Sequence, residues 1–255
     1  MLQIDEVIRH KPDNFLLISG DFALAKEQLS LIPEKAKNLP FTKGLIGQLQ
    51  MKDKKFTEAL ENLRAAYNAQ QTSRNVNLVY FCLVNTGQQK QGYSFLQQHV
   101  KSNPNDIASL MHLAQLQISQ DTDAAIESYE RVVSISDNNF VALNNLAYFY
   151  LERNKIEKAQ EYAEKALTLR PNMPDVLDTV GRIHLAKKDY DSAVKYLTKA
   201  VSESDENEDI YLNYVEALLL NDNKVLAQRK ITQKTFKLPQ SITRVEALKK
   251  SYQLN

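Results

Sequence analysis

A fixed beat of small residues constrains this chain more than any other feature of its sequence. Ala159, Ala193 and Ala227 stand 34 residues apart, as do Asp137, Pro171 and Asp205 and the pair Ala147 and Gly181. A period of that length is one helix–turn–helix unit, too small to bury its apolar face alone and therefore stacked on copies of itself. Within one unit, Leu143, Leu146, Ala147 and Tyr150 form the inner stripe of a first helix, and Ala159, Ala163 and Ala166 that of a second. They fall at the three- and four-residue spacing of one helix face. Small residues let the two backbones approach, and large ones beside them fill the gaps left by that approach. The next unit repeats the scheme with Leu177, Val180, Gly181 and His184, then Tyr190, Ala193, Leu197 and Ala200. Its start, "RPNMPD", supplies a helix stop, Asn172 as the expected cap and Pro174 in the first turn, where a missing N–H costs nothing.

Composition agrees with helices throughout. Only 6 glycines and 7 prolines occur in 255 residues, and the Val-rich patch from Val76 to Val84 sits at helical spacing. A 43% apolar fraction is enough to bury a core of one large or two ordinary domains. With 32 Lys and Arg against 31 Asp and Glu, overall charge gives no reason to expect nucleic acid or an anionic membrane as partner. The single cysteine, Cys82, excludes a disulfide framework and any cysteine-built zinc site. No apolar run approaches the ~20 residues a membrane span needs, and the start lacks the apolar stretch of a signal peptide.

These units resemble the tetratricopeptide repeat (TPR), whose pattern of large, large, small, aromatic, then Ala, aromatic or Leu, Ala and Pro they meet at nearly every position. The resemblance implies an all-α, TPR-type α-solenoid, a right-handed superhelix of antiparallel helix pairs closed by a capping helix. Weaker copies flank the two clear ones. They include Leu110, Leu113, Ala114, Ala125, Tyr129 and Val132 in one, Tyr211, Tyr214, Val215, Leu218, Ala227 and Ile231 in another, and Gly47, Phe56, Ala59, Leu63 and Ala66 toward the amino end. The stretch between carries Gly87 at its turn, Gly92 at an alanine position and Pro104 at the stop. The expected organisation is one solenoid domain over 1–255, with irregular helices in 1–40, about five helix pairs in 41–236 and a cap at 239–253. Residues 13–40 admit two frames and predict one long and one short helix. "IDEVIRHKP" reads as the tail of a second helix, so further repeats are expected to precede Met1. In the cap, Ile242, Val245, Leu248 and Tyr252 are expected on one buried side.

"ALNNLAYFYLE" and "PDVLDTVGRIHL", within a match over roughly residues 40–253, are similar to the carboxyl-terminal part of large bacterial TPR-repeat lipoproteins of PEP-CTERM protein sorting and exopolysaccharide export. That likeness implies the periplasmic face of a membrane, reached through a lipid anchor outside this chain; without it the cytoplasm is the expected place.

No residue constellation here carries chemistry. His10, His99, His112 and His184 never fall at ligand spacing, and no HExxH, CxxC, GxSxG or phosphate loop is present. His184 reads as a hydrogen-bonded core residue and Cys82 as a packed thiol. The run "SESDENED" at 202–209 reads as a solvated turn with helix-capping aspartates. Eight Lys or Arg in the last 32 residues, against Glu246 alone, read as a solvated face, the competing reading being an acidic or lipid partner. No metal, cofactor or catalytic residue is expected.

Function then rests on the concave groove that first helices line in such a stack, suited to a peptide or partner protein. In the repeat frame the groove positions are Asn144, Asn145, Tyr148 and Glu152; then Asp178, Thr179 and Arg182; then Leu212, Asn213 and Glu216. An asparagine amide offers donor and acceptor to a peptide backbone, although Asn145 and Asn213 equally suit ties between adjacent repeats. Asp178, Asp209 and Glu216 against Arg182 oppose a lysine-rich clamp for a peptide carboxylate and favour a basic or neutral partner. The expected role is a non-catalytic protein-binding scaffold of an export or envelope system. The alternative is a sensor region whose activity lies in another domain of a longer protein.

Overall fold

The computed structural model describes residues 22–254, and among them every regular element is a helix. After α1 (Phe22–Ser30) and the single turn α2 (Glu34–Lys37) come α3 (Pro40–Lys52), α4 (Phe56–Ala69), α5 (Ser73–Asn85), α6 (Gln89–Ser102) and α7 (Ile107–Gln117). Then follow α8 (Thr122–Ile135), α9 (Phe140–Glu152), α10 (Ile156–Leu169), α11 (Pro174–Ala186), α12 (Tyr190–Glu203), α13 (Glu208–Leu220), α14 (Lys224–Gln233) and α15 (Pro239–Tyr252). The chain is all-α, in the helix-pair architecture of the TPR solenoid. Residues 4–12, read as the tail of a helix, lie outside the described residues, and His10 with them. Cα packing divides the chain into two compact units, one ending at Leu113 and one starting at Ala114.

In the first unit, α3 lies on α4 through Gly47, where an added Cβ would stand 2.7 Å from the Leu63 Cγ. Ala59, Val76, Val79, Cys82, Leu83 and Leu96 are fully buried around this contact and the next. Burial pushes the Cys82 thiol up to about 11, which keeps it protonated and inert at neutral pH. His99 is also buried, with Nε2 at 2.8 Å from an Asp106 carboxylate oxygen and Nδ1 at 3.0 Å from the Tyr67 hydroxyl. The carboxylate draws the ring proton to Nε2, so Nδ1 accepts from the tyrosine.

Five turns inside helix pairs close alike. Lys54, Gly87, Asn154, Lys188 and Asp222 take positive φ of 55–78°. The N–H of the following residue reaches the carbonyl five positions back at 2.8–2.9 Å, as in Lys155 to Tyr150 and Asp189 to His184. This closure satisfies the last carbonyls of the first helix and aims the second back along it. Only Gly87 adopts it without a Cβ penalty.

The second unit holds the clear repeats. Ala159, Ala193 and Ala227 have no exposure, as the period predicts. Gly181 accommodates Leu197, whose Cγ would lie 2.5 Å from an added Cβ. Three details differ from the sequence reading. The cap of α11 is Met173, without a side-chain bond, and not Asn172, because Pro174 at the first position already removes an orphan N–H. Leu212, placed in the groove by the repeat frame, is fully buried in a core cluster with Val215, Leu218, Leu219 and Leu248. In α15, Val245, Leu248 and Tyr252 pack on that cluster while Ile242 is 44% exposed, one turn too early to reach it.

The acidic turn between α12 and α13 is structural. Asn207, rather than an aspartate, caps α13 by accepting from the N–H groups of Asp209 and Ile210. Glu208 is buried and accepts from the backbone N–H groups of Lys237 at 2.8 Å and Leu238 at 3.2 Å, immediately before α15. The Lys237 bond, with help from the Leu238 N–H, holds this carboxyl below the usual carboxylate range. A depressed value contributes stability above the unfolded pKa of 4.5, and that contribution is lost as pH falls through the folded value. Urea midpoints of the wild type and Glu208→Gln are therefore expected to differ most at pH 6 to 7 and to converge as pH falls from 4.5 through the folded value. A gap independent of pH would remove Glu208 from this role.

Candidate partner-binding groove

The sequence spacing that sends Leu143, Leu146 and Ala147 inward places Asn144, Asn145 and Tyr148 on the adjacent face of α9, and the 34-residue step carries that face to α11 and α13. Within the second unit these faces wall an open cavity of about 1040 Å³. Asn144, Asn145, Tyr148, Asp178, Thr179, Arg182, Asn213 and Glu216 all line it. Glu152 stands outside the wall but accepts from Arg182 Nη2 at 2.6 Å, and Leu212 is turned away into the core.

Two polar chains run across the wall. In the first, the Arg182 guanidinium lies 5.1 Å over the Tyr148 ring while it pairs with Glu152. Burial opposes its charge, but Glu152 and Asp178 outweigh that cost and hold it firmly protonated. In the second, Asn213 Nδ2 donates to Asp178 Oδ1 at 2.7 Å, and Asn213 Oδ1 accepts from Arg244 Nη2 at 2.8 Å. The same Arg244 nitrogen also donates to Glu216 at 2.6 Å. Burial raises the Asp178 carboxyl above its ordinary range, with the Asn213 bond opposing only part of the shift.

The asparagines thus tie elements together. Asn213 joins α11 to α15, and Asn145 stands near enough to the Tyr129 hydroxyl of α8 to offset part of the upward push that burial gives that phenol. Asn144 differs, because its Oδ1 is buried with no hydrogen-bond partner.

The repeat frame missed two contributors to the wall. Arg244 comes from the closing helix and stands 31 residues beyond Asn213, out of step with the period. Its only sequence signal was the basic excess near the carboxyl end. The second is an apolar rim in which Val141 and Met173, 40% and 37% exposed, flank the already expected Tyr148, 38% exposed. Val141 shares its frame position with Asp175 and Asp209, which also line the cavity and recur at 34 residues.

The other titratable candidates are committed elsewhere. His184 Nδ1 lies 2.9 Å from Asp189, with the ring stacked on Tyr196 at 5.3 Å, and His112 pairs with Asn77. Of the basic residues near the end, Lys234 bonds the Asp205 carbonyl and Lys230 lies over the Tyr214 ring. Among the described residues no three His, Cys, Asp or Glu stand close enough to hold a metal ion, and no helix is long and apolar enough to cross a membrane.

A helix-pair stack with a first-helix groove is a protein-contact architecture, and comparison with known proteins specifies its class. The family model described as Tetratricopeptide repeat matches residues 116–183 and 184–250, so the chain belongs to the tetratricopeptide repeat family. It is 29% identical over 128 residues to a TPR repeat-containing protein of Pseudomonas aeruginosa, covering 49% of this chain and 22% of that protein. It is 24% identical over 217 residues to cellulose synthase operon protein C of Pseudomonas fluorescens, covering 78% of this chain and 17% of that one. The chain spans about a fifth of the length of these relatives. Among solved structures, a tetratricopeptide repeat protein from Parabacteroides merdae aligns with TM-score 0.66 at 13% identity, over 83% of this chain and 86% of that one. The C-terminal part of a TPR repeat-containing protein from Cytophaga hutchinsonii aligns with TM-score 0.67 at 16% identity, over 91% and 97%. At these identities the structures speak for the fold. Membership in the family carries a general role in protein–protein contact.

Proposed function

We propose that this chain is a non-catalytic scaffold that holds a peptide or partner protein in the groove walled by α9, α11 and α13. One observation carries the reading: three successive first helices present a continuous wall in which exposed Val141, Tyr148 and Met173 alternate with polar groups. An apolar rim beside oriented polar side chains is how grooves gain both affinity and register. Bacterial envelope protein sorting or exopolysaccharide export is the setting we favour. Its support is the wording of the sequence and the likeness to a protein named for a cellulose synthase operon. A sensor region attached to an active domain is the second reading, favoured by the short span of this chain along its relatives.

The test is site-specific photocrosslinking in the parent cell, with a benzophenone amino acid at Tyr148 or, as control, at exposed Glu161 on α10. The partner captured from Tyr148 is then purified and titrated. Affinity is expected to fall at least about tenfold when Tyr148→Ala and Val141→Ser are combined. Capture from the Glu161 position alone, or an affinity indifferent to both substitutions, refutes the groove.

A further inference from the structure

The groove wall carries more acid than base. Asp175, Asp178, Asp209 and Glu216 line it against Arg182 and Arg244. Both guanidiniums are engaged, Arg182 with Glu152 and Arg244 with Glu216 and Asn213. Asp178 receives its bond from Asn213 at Oδ1, which leaves Oδ2 free of a hydrogen bond. Asp175 and Asp209 stand in the first turns of α11 and α13 and make no ion pair. A first-turn aspartate complements the helix dipole, which accounts for those two but not for Asp178 a turn further in. Asn144 Oδ1 adds a buried acceptor that no donor of the chain reaches. The charges this wall leaves without an ion pair are therefore all negative, those of Asp175, Asp178 and Asp209.

The wall also shows what it does with a cation. Arg244, arriving from outside the repeat frame, sets one guanidinium nitrogen between Asn213 Oδ1 and Glu216 Oε2 at 2.8 and 2.6 Å. The remaining carboxylates are too dispersed for a compact ion, since no metal-sized cluster exists among the described residues. They suit charges carried on separate side chains of one segment.

We infer that the occupant of the groove, if the reading above is right, is a basic segment whose arginine or lysine side chains reach Asp175, Asp178 and Asp209, with apolar residues seated on Val141 and Met173. Charge complementarity selects the segment and the apolar rim adds area.

The probe is a fluorescein-labelled peptide of alternating leucine, serine and arginine, with copies carrying citrulline or glutamate in place of arginine. Each is titrated by anisotropy into the intact chain, and each is photocrosslinked from a benzophenone at Tyr148 and at Glu161. The arginine peptide is expected to crosslink from Tyr148 and to weaken as salt rises. Its affinity falls at least about tenfold with citrulline, with glutamate, with Asp178→Asn and with Asp175→Asn plus Asp209→Asn. The asparagine variants keep the bond from Asn213, and unchanged melting establishes that they fold. If all three peptides crosslink from Tyr148 with equal affinity, the groove stands and the basic selectivity is overturned. Crosslinking of the arginine peptide from Glu161 but not Tyr148 overturns both. Failure of the arginine peptide to bind at millimolar concentration overturns the selectivity as well.

Discussion

Leu197→Ala is expected to destabilise the second unit by about 2–5 kcal/mol, and Gly181→Ala is expected to change sign with it. Leu197 is fully buried and fills the space that Gly181 leaves open. In the wild type an added Cβ would stand 2.5 Å from the Leu197 Cγ and 3.0 and 3.2 Å from its two methyls. Overpacking of that kind costs about 1–3 kcal/mol, against which alanine's helix propensity returns about 1. In the Leu197→Ala background the clash is gone, so Gly181→Ala keeps the propensity gain and fills part of the cavity. The double variant then resembles the preceding repeat, in which Ala147 and Ala163 occupy the same two places, both essentially buried. A urea-denaturation double-mutant cycle followed by circular dichroism measures the coupling. Stabilisation by Gly181→Ala in both backgrounds would show that volume at this contact is not what the glycine serves.

Ending the chain after Lys237 is expected to cost more than about 3 kcal/mol and to make the protein self-associate. The removed α15 buries Leu248 and packs Val245 and Tyr252 on the cluster of Leu212, Val215, Leu218 and Leu219. Each large apolar side chain so placed is worth about 1.5–3 kcal/mol. A repeat stack with its last core face bare offers a continuous apolar surface to a second molecule. Light scattering after size exclusion would detect the association, and Leu248→Ala in the full-length chain should give a milder loss without it. A truncated chain that stays monomeric with an unaltered urea midpoint would mean that the cluster closes on itself.

What could be read from the sequence follows from what repeats in it. The alanines at 159, 193 and 227 and the glycine at 181 recur because each backbone approach recurs, so periodicity alone locates them in the core. The same periodicity carries Asn144, Asp178 and Asp209 toward one wall, since helix faces repeat with the unit. It fails where the repeat ends. Leu212 takes the frame position of Asn144 and Asp178, yet it is buried because α15 covers that end of the unit. Arg244 and Ile242 sit on α15, whose rotation follows from its packing on α13 and not from the 34-residue step. Glu208 looked like one more solvated acid because its partners, the N–H groups of Lys237 and Leu238, are backbone and leave no trace in side-chain text. Asn172 has a capping residue's chemistry but loses the position to the proline two places on.

Because Arg244 reaches back from α15 to Asn213 and Glu216, the wall proposed to receive a guest and the latch on the carboxyl end share atoms. Thermodynamic reciprocity then applies: a guest that leaves the arginine in place and adds to its neighbours must steady the last helix by the same free energy with which that helix steadies the guest. One that evicts the arginine must loosen it. If the groove is filled as proposed, occupancy and fraying are two readings of a single equilibrium.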